Sequence, residues 1–259
     1  MIGAIIGDIA GSTFEFDNTS DYNFDLFAAG SEYTDDSICT IAIADAILKG
    51  KDYGESLVKW CRKYPDPMGA YGGGFERWLN SAEQKPYGSW GNGAAMRVAA
   101  VGWAFNSSAE VRREAMKSAE ITHNHLEGLI GAVATALAIY ECRVVKGDEF
   151  SAKQIIRAIA TEYYGEDYRE RLPRPGKFEA GCLGTVDTAL AVIEDSVSFE
   201  DAIRKAVARG GDSDTLGAIV GGIAEAIWDI PERLRAEAME ILPQDLRSVV
   251  EEFEKKYGK

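Results

Sequence analysis

Histidine is almost missing from this chain of 259 residues: there are two, His123 and His125, separated by one asparagine. That scarcity excludes a His-rich zinc site. A metal, if held, must be held mostly by oxygen, which selects Mg²⁺, Mn²⁺ or Ca²⁺. Cysteine is scarce too. Cys39, Cys61, Cys142 and Cys182 are widely spaced and form no C-x-x-C pair. They indicate no disulfide scaffold, and each reads as a small buried hydrophobe. Positive charge is short: 28 Lys+Arg face 42 Asp+Glu, for a formal charge of −14. Binding to nucleic acid needs clustered Lys and Arg, and anionic membranes attract basic segments, so neither surface is expected. No uncharged apolar run approaches the ~20 residues that span a bilayer. The opening MIGAIIGDIAG has no basic segment and meets Asp8 early, so it does not read as a signal peptide, and the expected compartment is the cytoplasm.

Proline numbers only seven, which leaves most of the chain free to be helical. Residues 37–49 (SICTIAIADAILK) follow two aspartates and stop at Gly50, the signals of a capped helix. Residues 128–145 are apolar almost all round and rich in Gly and Ala, as a central helix packed on every side would be. Segments 182–195 and 215–229 repeat that type. Segments 53–63, 108–121, 151–163, 199–208 and 232–242 are more amphipathic. The segment 244–257 carries Leu246, Val249, Val250 and Phe253 on one stripe, as a helix covering the core does. About ten helices, no alternating strand and no linker predict one all-α domain over residues 1–259.

Between these helices lie loops of Gly, acid and amide: 7–15, 31–37, 69–75, 90–97, 122–127 and 210–215. Thr34-Asp35-Asp36 precedes an apolar helix. One capping residue would satisfy that helix end, and three oxygen ligands exceed the need. Gly210-Gly211-Asp212-Ser213-Asp214-Thr215 precedes another apolar helix. Its D-x-D spacing lets two carboxylates converge on one cation while the residue between points away. Buried acids without a cation or an arginine are costly. The two clusters mirror each other and together offer six hard oxygens for one or two octahedral cations. Paired cations about 3.5–4 Å apart form the usual two-metal hydrolytic arrangement, with Asp36 or Asp214 as the bridging carboxylate.

With these residues assembled, the chain resembles the ADP-ribosylglycohydrolases, the family typified by dinitrogenase-reductase-activating glycohydrolase. The likeness runs through GAIIGDIAGSTFE at 3–15, YTDDS at 33–37, YGGGF at 71–75, GNGAAMR at 91–97, THNHLEG at 122–128 and GGDSDTLGAIVGGIAEA at 210–226. It implies an orthogonal helical bundle with a binuclear Mg²⁺ or Mn²⁺ cleft. It implies Thr34, Asp35, Asp36, Asp212, Asp214 and Thr215 as metal ligands. The implied reaction hydrolyses the N- or O-glycosidic bond between ADP-ribose and a protein side chain, or a related small ADP-ribose conjugate. Glu15 matches the family's glutamate beside the metals, and Asp35 or Glu15 would accept the proton of water or assist departure of the leaving group. Gly72, Gly73, Gly91, Asn92, Gly93, Met96, His123 and Ser213 would hold the rest of ADP-ribose, the glycine loops offering free N–H groups to phosphate.

Arg97 would meet a phosphate or a cluster acid, or form a buried salt bridge. Tyr71 or Phe75 would stack a base. Trp60, Trp78, Trp103 and Trp228 read as core, whereas Trp90 stands beside a glycine loop. Residues 164–178, aromatic and charged, are expected to form a cleft wall. Two other functions fit the same residues: a two-metal nucleotide phosphohydrolase and a non-catalytic ADP-ribose-binding protein. A two-carboxylate glycosidase would need no metal, and the six-oxygen cluster argues against it.

Overall fold

The structure, a computed structural model, describes residues 1–258. It begins with a helix that residue preference alone would not select. α1 (Ile2–Ser12) is Ile- and Gly-rich, and all of its residues are buried. Glycine and β-branched residues are poor helix formers, so packing must supply the stability. Gly3, Gly7 and Gly11 lie four apart on one face of α1 and press backbone to backbone against α12 (Ser213–Ile227). A methyl carbon added at Gly7 would sit 1.9 Å from the carbonyl oxygen of Gly217, and one at Gly221 would sit 2.0 Å from that of Gly3. Gly11 faces Ser213 in the same way, so the two helices run antiparallel. The expectation of a loop over 7–15 is therefore corrected for residues 7–12.

The remaining elements are α2 (Asp35–Lys49), α3 (Tyr53–Lys63), α4 (Gly73–Leu79), the short α5 (Gly93–Met96) and α6 (Ala99–Ala104). They continue as α7 (Ser108–Glu120), α8 (Leu126–Val144), α9 (Glu149–Tyr164), a 3₁₀ turn at Tyr168–Arg171 and α10 (Cys182–Asp195). α11 (Phe199–Arg209), α13 (Glu232–Ile241) and α14 (Gln244–Tyr257) complete the set. The fold is all-α. Among the described residues there is no strand, only isolated bridges at Thr34–Met68 and Gly91–Gly181.

α8 runs through the middle and touches α5, α6, α7, α9, α10 and α12. Its Ala and Gly positions let those neighbours approach, and Gly131 packs on the Cys182 side chain. α2 ends at Gly50 in the left-handed conformation (φ 60°), where a side chain would be strained. The stripe Leu246, Val249, Val250 and Phe253 is buried, with α14 lying against α2. All four cysteines are buried and free. Trp60, Trp78 and Trp103 are buried and Trp228 is partly so. No helix among the described residues is long and apolar enough to cross a membrane.

Candidate functional site

The starts of α2 and α12 meet the middle of α1, and each brings acids to one place. Asp8 is the pivot. It is fully buried on α1 and accepts hydrogen bonds from the Thr34 N–H (3.0 Å), the Thr34 hydroxyl (2.6 Å), the Ser37 N–H (3.1 Å) and the Ser37 hydroxyl. It thus satisfies free N–H groups at the start of α2, where a carboxylate also suits the helix dipole. The Thr215 hydroxyl donates to Asp36 Oδ2 at 3.0 Å, tying α12 to α2. The Asn92 amide donates to Asp212 Oδ2 at 2.8 Å, tying the start of α5 to the same cluster.

Two triads of carboxylates result. Asp8, Asp36 and Asp214 each offer an oxygen within 4.8 Å of the others, and so do Glu15, Asp212 and Asp214. Asp214 belongs to both. Asp35 belongs to neither, and it stands half-buried in the cleft wall. Thr34 is fully buried, and its hydroxyl donates to Asp8.

The electrostatics are those of a site built for positive charge. Burial first, and neighbouring carboxylates second, push Asp35, Asp36 and Asp214 well above the usual carboxylate range. Burial also raises Asp212, and it raises Asp8 to about 6 against the opposing hydrogen bonds from Ser37 and Thr34. Glu15 rises to about 7 through burial and the charges of Asp212 and Asp8. Among the described residues no Lys or Arg pairs with any of these six acids. Asp36 Oδ1 is buried and has no hydrogen-bond partner at all. A buried carboxylate oxygen left orphaned among other carboxylates is stable only with a cation or a proton. The donor set is all hard oxygen and fits a divalent cation.

The cluster forms the floor of a cleft of ≈ 320 Å³. Its walls bring together most of the residues the sequence singled out: Glu15, Gly72, Gly73, Gly91, Asn92, Gly93, Met96 and His123, with Asp35, Asp36, Asp212, Asp214 and Thr215 below. Gly69 (φ +78°) is needed where the Glu15 carboxylate lies across it, since an added methyl carbon would come 2.6 Å from Glu15 Oε2. Residues 90–92 dock against 180–182 through Asn92 N–H to Ala180 O (2.8 Å) and Cys182 N–H to Trp90 O (3.0 Å).

Several placements differ from expectation. The Ser213 hydroxyl donates to Gly11 O at 3.0 Å and faces α1, because α12 needs that small residue against α1. It does not line the cleft. Arg97 is buried but forms no ion pair among the described residues; it donates to Ser118 O (3.0 Å) and the Thr122 hydroxyl (2.9 Å). Tyr71 and Phe75 line the cleft but are largely buried, Tyr71 packed on Phe75 and Phe75 on Trp78. Of segment 164–178, Tyr164 and Tyr168 go into the core, and only Phe178 reaches the cleft, where it stacks on Phe16 at 6.2 Å between ring centres. Trp90 is half exposed and covers Gly181.

Two residues went unseen in the sequence. An ionisable Asp8 inside an otherwise apolar run was a usable signal. Asn18 had none: it pins the Glu15 segment to the α12 approach by bonds to and from Gly211 (3.0 and 2.7 Å).

Comparison with known proteins agrees with this architecture. The sequence profile of the ADP-ribosylglycohydrolase family matches residues 1–259. The chain is 24% identical to human ADP-ribosylhydrolase ARH3, over 96% of this chain and 92% of that protein. It is 24% identical to ADP-ribosyl-[dinitrogen reductase] glycohydrolase of Rhodospirillum rubrum, over 90% of this chain and 85% of that protein. A solved structure titled "ADP-ribosylglycohydrolase-related protein complex" shares the fold, with a TM-score of 0.74 at 20% identity over 99% of this chain and 95% of that one. The chain belongs to the ADP-ribosylglycohydrolase family.

Proposed function

We propose that this protein is a cation-dependent hydrolase of the glycosidic bond joining ADP-ribose to a protein side chain or to a small conjugate. The observation that carries the reading is the pair of carboxylate triads sharing Asp214, with the orphaned Asp36 Oδ1, at the floor of a cleft. The names of the relatives, which act on ADP-ribose conjugates, point the same way.

Asp8, Asp36, Asp212, Asp214, Glu15 and the Thr215 hydroxyl would hold one or two Mg²⁺ or Mn²⁺ ions. When bound, such ions supply Lewis-acid charge and a lowered water pKa. The chain's own groups do the rest. Asp35, in the wall and outside both triads, is the carboxylate free to take a proton from the attacking water. Glu15, which completes the second triad and also lines the cleft, would orient the water or the departing group beside those acids. The backbone of Gly93, at the start of α5, and of Gly72–Gly73 would present N–H groups to the pyrophosphate, the Gly91 and Asn92 N–H groups being taken by Ser89 and Ala180. The Asn92 amide spans from the cluster to that loop and fixes where the ribose sits relative to the acids.

The test is a panel of mono-ADP-ribosylated peptides of defined linkage, with O-acetyl-ADP-ribose, assayed in Mg²⁺ or Mn²⁺ and in chelator. Free ADP-ribose and the regenerated side chain are expected, with turnover abolished by chelator and by Asp36→Ala or Asp214→Ala. Phosphate or AMP as the only product would favour a nucleotide phosphohydrolase. Tight ADP-ribose binding without turnover would favour a binding protein.

A further inference from the structure

In the cleft wall, Arg97 and His123 and the buried Thr122 between them form a line of three side chains. Thr122 is fully buried, and its hydroxyl oxygen accepts from Arg97 at 2.9 Å. The same oxygen lies 2.6 Å from His123 Nδ1. A hydroxyl has one proton to give. The oxygen keeps a second lone pair beside the one the guanidinium uses, but among the described residues its proton has no acceptor other than the Nδ1 lone pair. The charge of Arg97 favours the same choice, because it repels an N–H pointing toward it and attracts a lone pair. Burial and that charge hold the ring neutral, its pKa lowered to about 2. His123 Nε2 has no partner among the described residues, lines the cleft, and lies 3.3 Å from the space a side-chain carbon at Gly93 would fill.

We propose that Arg97 and Thr122 are positioning residues that lock His123 in its Nε2–H tautomer, making it an obligatory hydrogen-bond donor to an oxygen of the ligand beside the 91–93 loop. The absence of a side chain at Gly93 keeps the path from Nε2 open. The ligand named here, ADP-ribose, rests on the function proposed above; the tautomer does not. A ring fixed as donor selects for an acceptor, a phosphate oxygen or a ribose hydroxyl, and rejects an ammonium or amide N–H at that point. Because the ring stays neutral, that selection persists across the physiological pH range.

The chain's two histidines make the test direct. Full-length protein labelled with ¹⁵N-histidine is examined by long-range ¹H–¹⁵N correlation at neutral pH, with His123→Gln assigning the ring. The expected pattern is a pyrrole-type Nε2 and a pyridine-type Nδ1 in the unliganded protein. Thr122→Val should convert it to a mixture of tautomers, and Thr122→Ser should restore it. ADP-ribose affinity, measured by calorimetry in Mg²⁺, should fall about 3- to 10-fold in Thr122→Val, the value of one hydrogen bond, and recover in Thr122→Ser. A protonated Nδ1 or a tautomer mixture in the wild type overturns the inference, and so does a pattern unchanged by Thr122→Val. Should that variant fail to fold, the wild-type and Thr122→Ser spectra decide. A locked tautomer in a protein that ignores ADP-ribose would sink the proposed function and leave the lock standing.

Discussion

At the scale of single residues the informative groups are those that are unsatisfied. Asp36 Oδ1 is an acceptor without a donor, set among Asp8 and Asp214, whose own carboxylates give it nothing. An amide in its place would donate to those neighbours and remove one like charge. Asp36→Asn should therefore raise the melting temperature of the protein in chelator, by about 2–4 °C for a gain on the order of 1 kcal/mol. The same substitution should erase the upward shift that Mg²⁺ or Mn²⁺ gives the wild type, measured by calorimetric melting. An unchanged cation response in Asp36→Asn would remove Asp36 from the site. Asp45 offers the opposite case. It is fully buried and fully used, accepting from Lys49, from Lys59 at 3.0 Å and from the Trp60 indole at 2.9 Å. Burial raises its pKa, but these donors outweigh burial and hold it below the usual range. Asp45→Ala strands the indole N–H and two ammonium groups and should cost about 2 kcal/mol by denaturant unfolding, with catalysis unaffected in the folded fraction.

At the scale of elements, the face shared by α1 and α12 sets the geometry of the cluster, since Asp8 rides on one helix and Asp214 on the other. Gly217→Ala would place a methyl carbon 2.3 Å from the Gly7 carbonyl oxygen and must force the helices apart. A loss of about 3 kcal/mol is expected, together with weaker cation binding. One turn away on another face, Gly222→Ala meets nothing closer than 3.3 Å, the Ala99 methyl. It should change stability by about 1 kcal/mol or less, helix preference offsetting the crowding. Equal losses in the two variants would show that backbone contact is not what matters. The same contact explains what could be read beforehand. α3, α10 and α14 begin and end where the sequence placed them, α3 because Asp52 caps it and α14 because its apolar stripe is regular, though α10 carries a kink at Leu183 and Gly184 that the sequence did not announce. α1 was not, because three glycines and four isoleucines oppose a helix until α12 is present, and that partner lies some two hundred positions away. The partners of Asp8 at the start of α2 were hidden with it. The cleft-facing acids and glycines were legible because metal and phosphate chemistry restricts residue types. Ser213 and the wall around 164–178 were misjudged because spacing along a chain does not say which way a side chain faces.

At the scale of the molecule, an acidic protein concentrates further negative charge in its own interior. The sign of the resulting pH dependence follows. Glu15 and Asp8, near 4.5 and 3.8 when unfolded, rise to about 7 and about 6 in the fold. A carboxyl group with a raised pKa favours the folded state while it is protonated. Stability in chelator should thus be greatest toward the acid end of the range, and fall as pH rises from about 4 through about 7. Cations compete with those protons, so their affinity should climb over the same window, with protons released on binding. Calorimetric titration of Mg²⁺ or Mn²⁺ in buffers of different ionisation heat measures both; affinity that is flat across the window would contradict the assignment of these acids. The pairing of α1 with α12 has a last consequence, in the order of events during synthesis. The bond from Ser213 to Gly11 joins positions 202 apart in the chain. The first helix must therefore wait, its glycine face uncovered, while most of the protein is made. Because half of the cluster arrives with α12, no partial chain can assemble it, and the capacity to capture the cation comes into being only as the core closes.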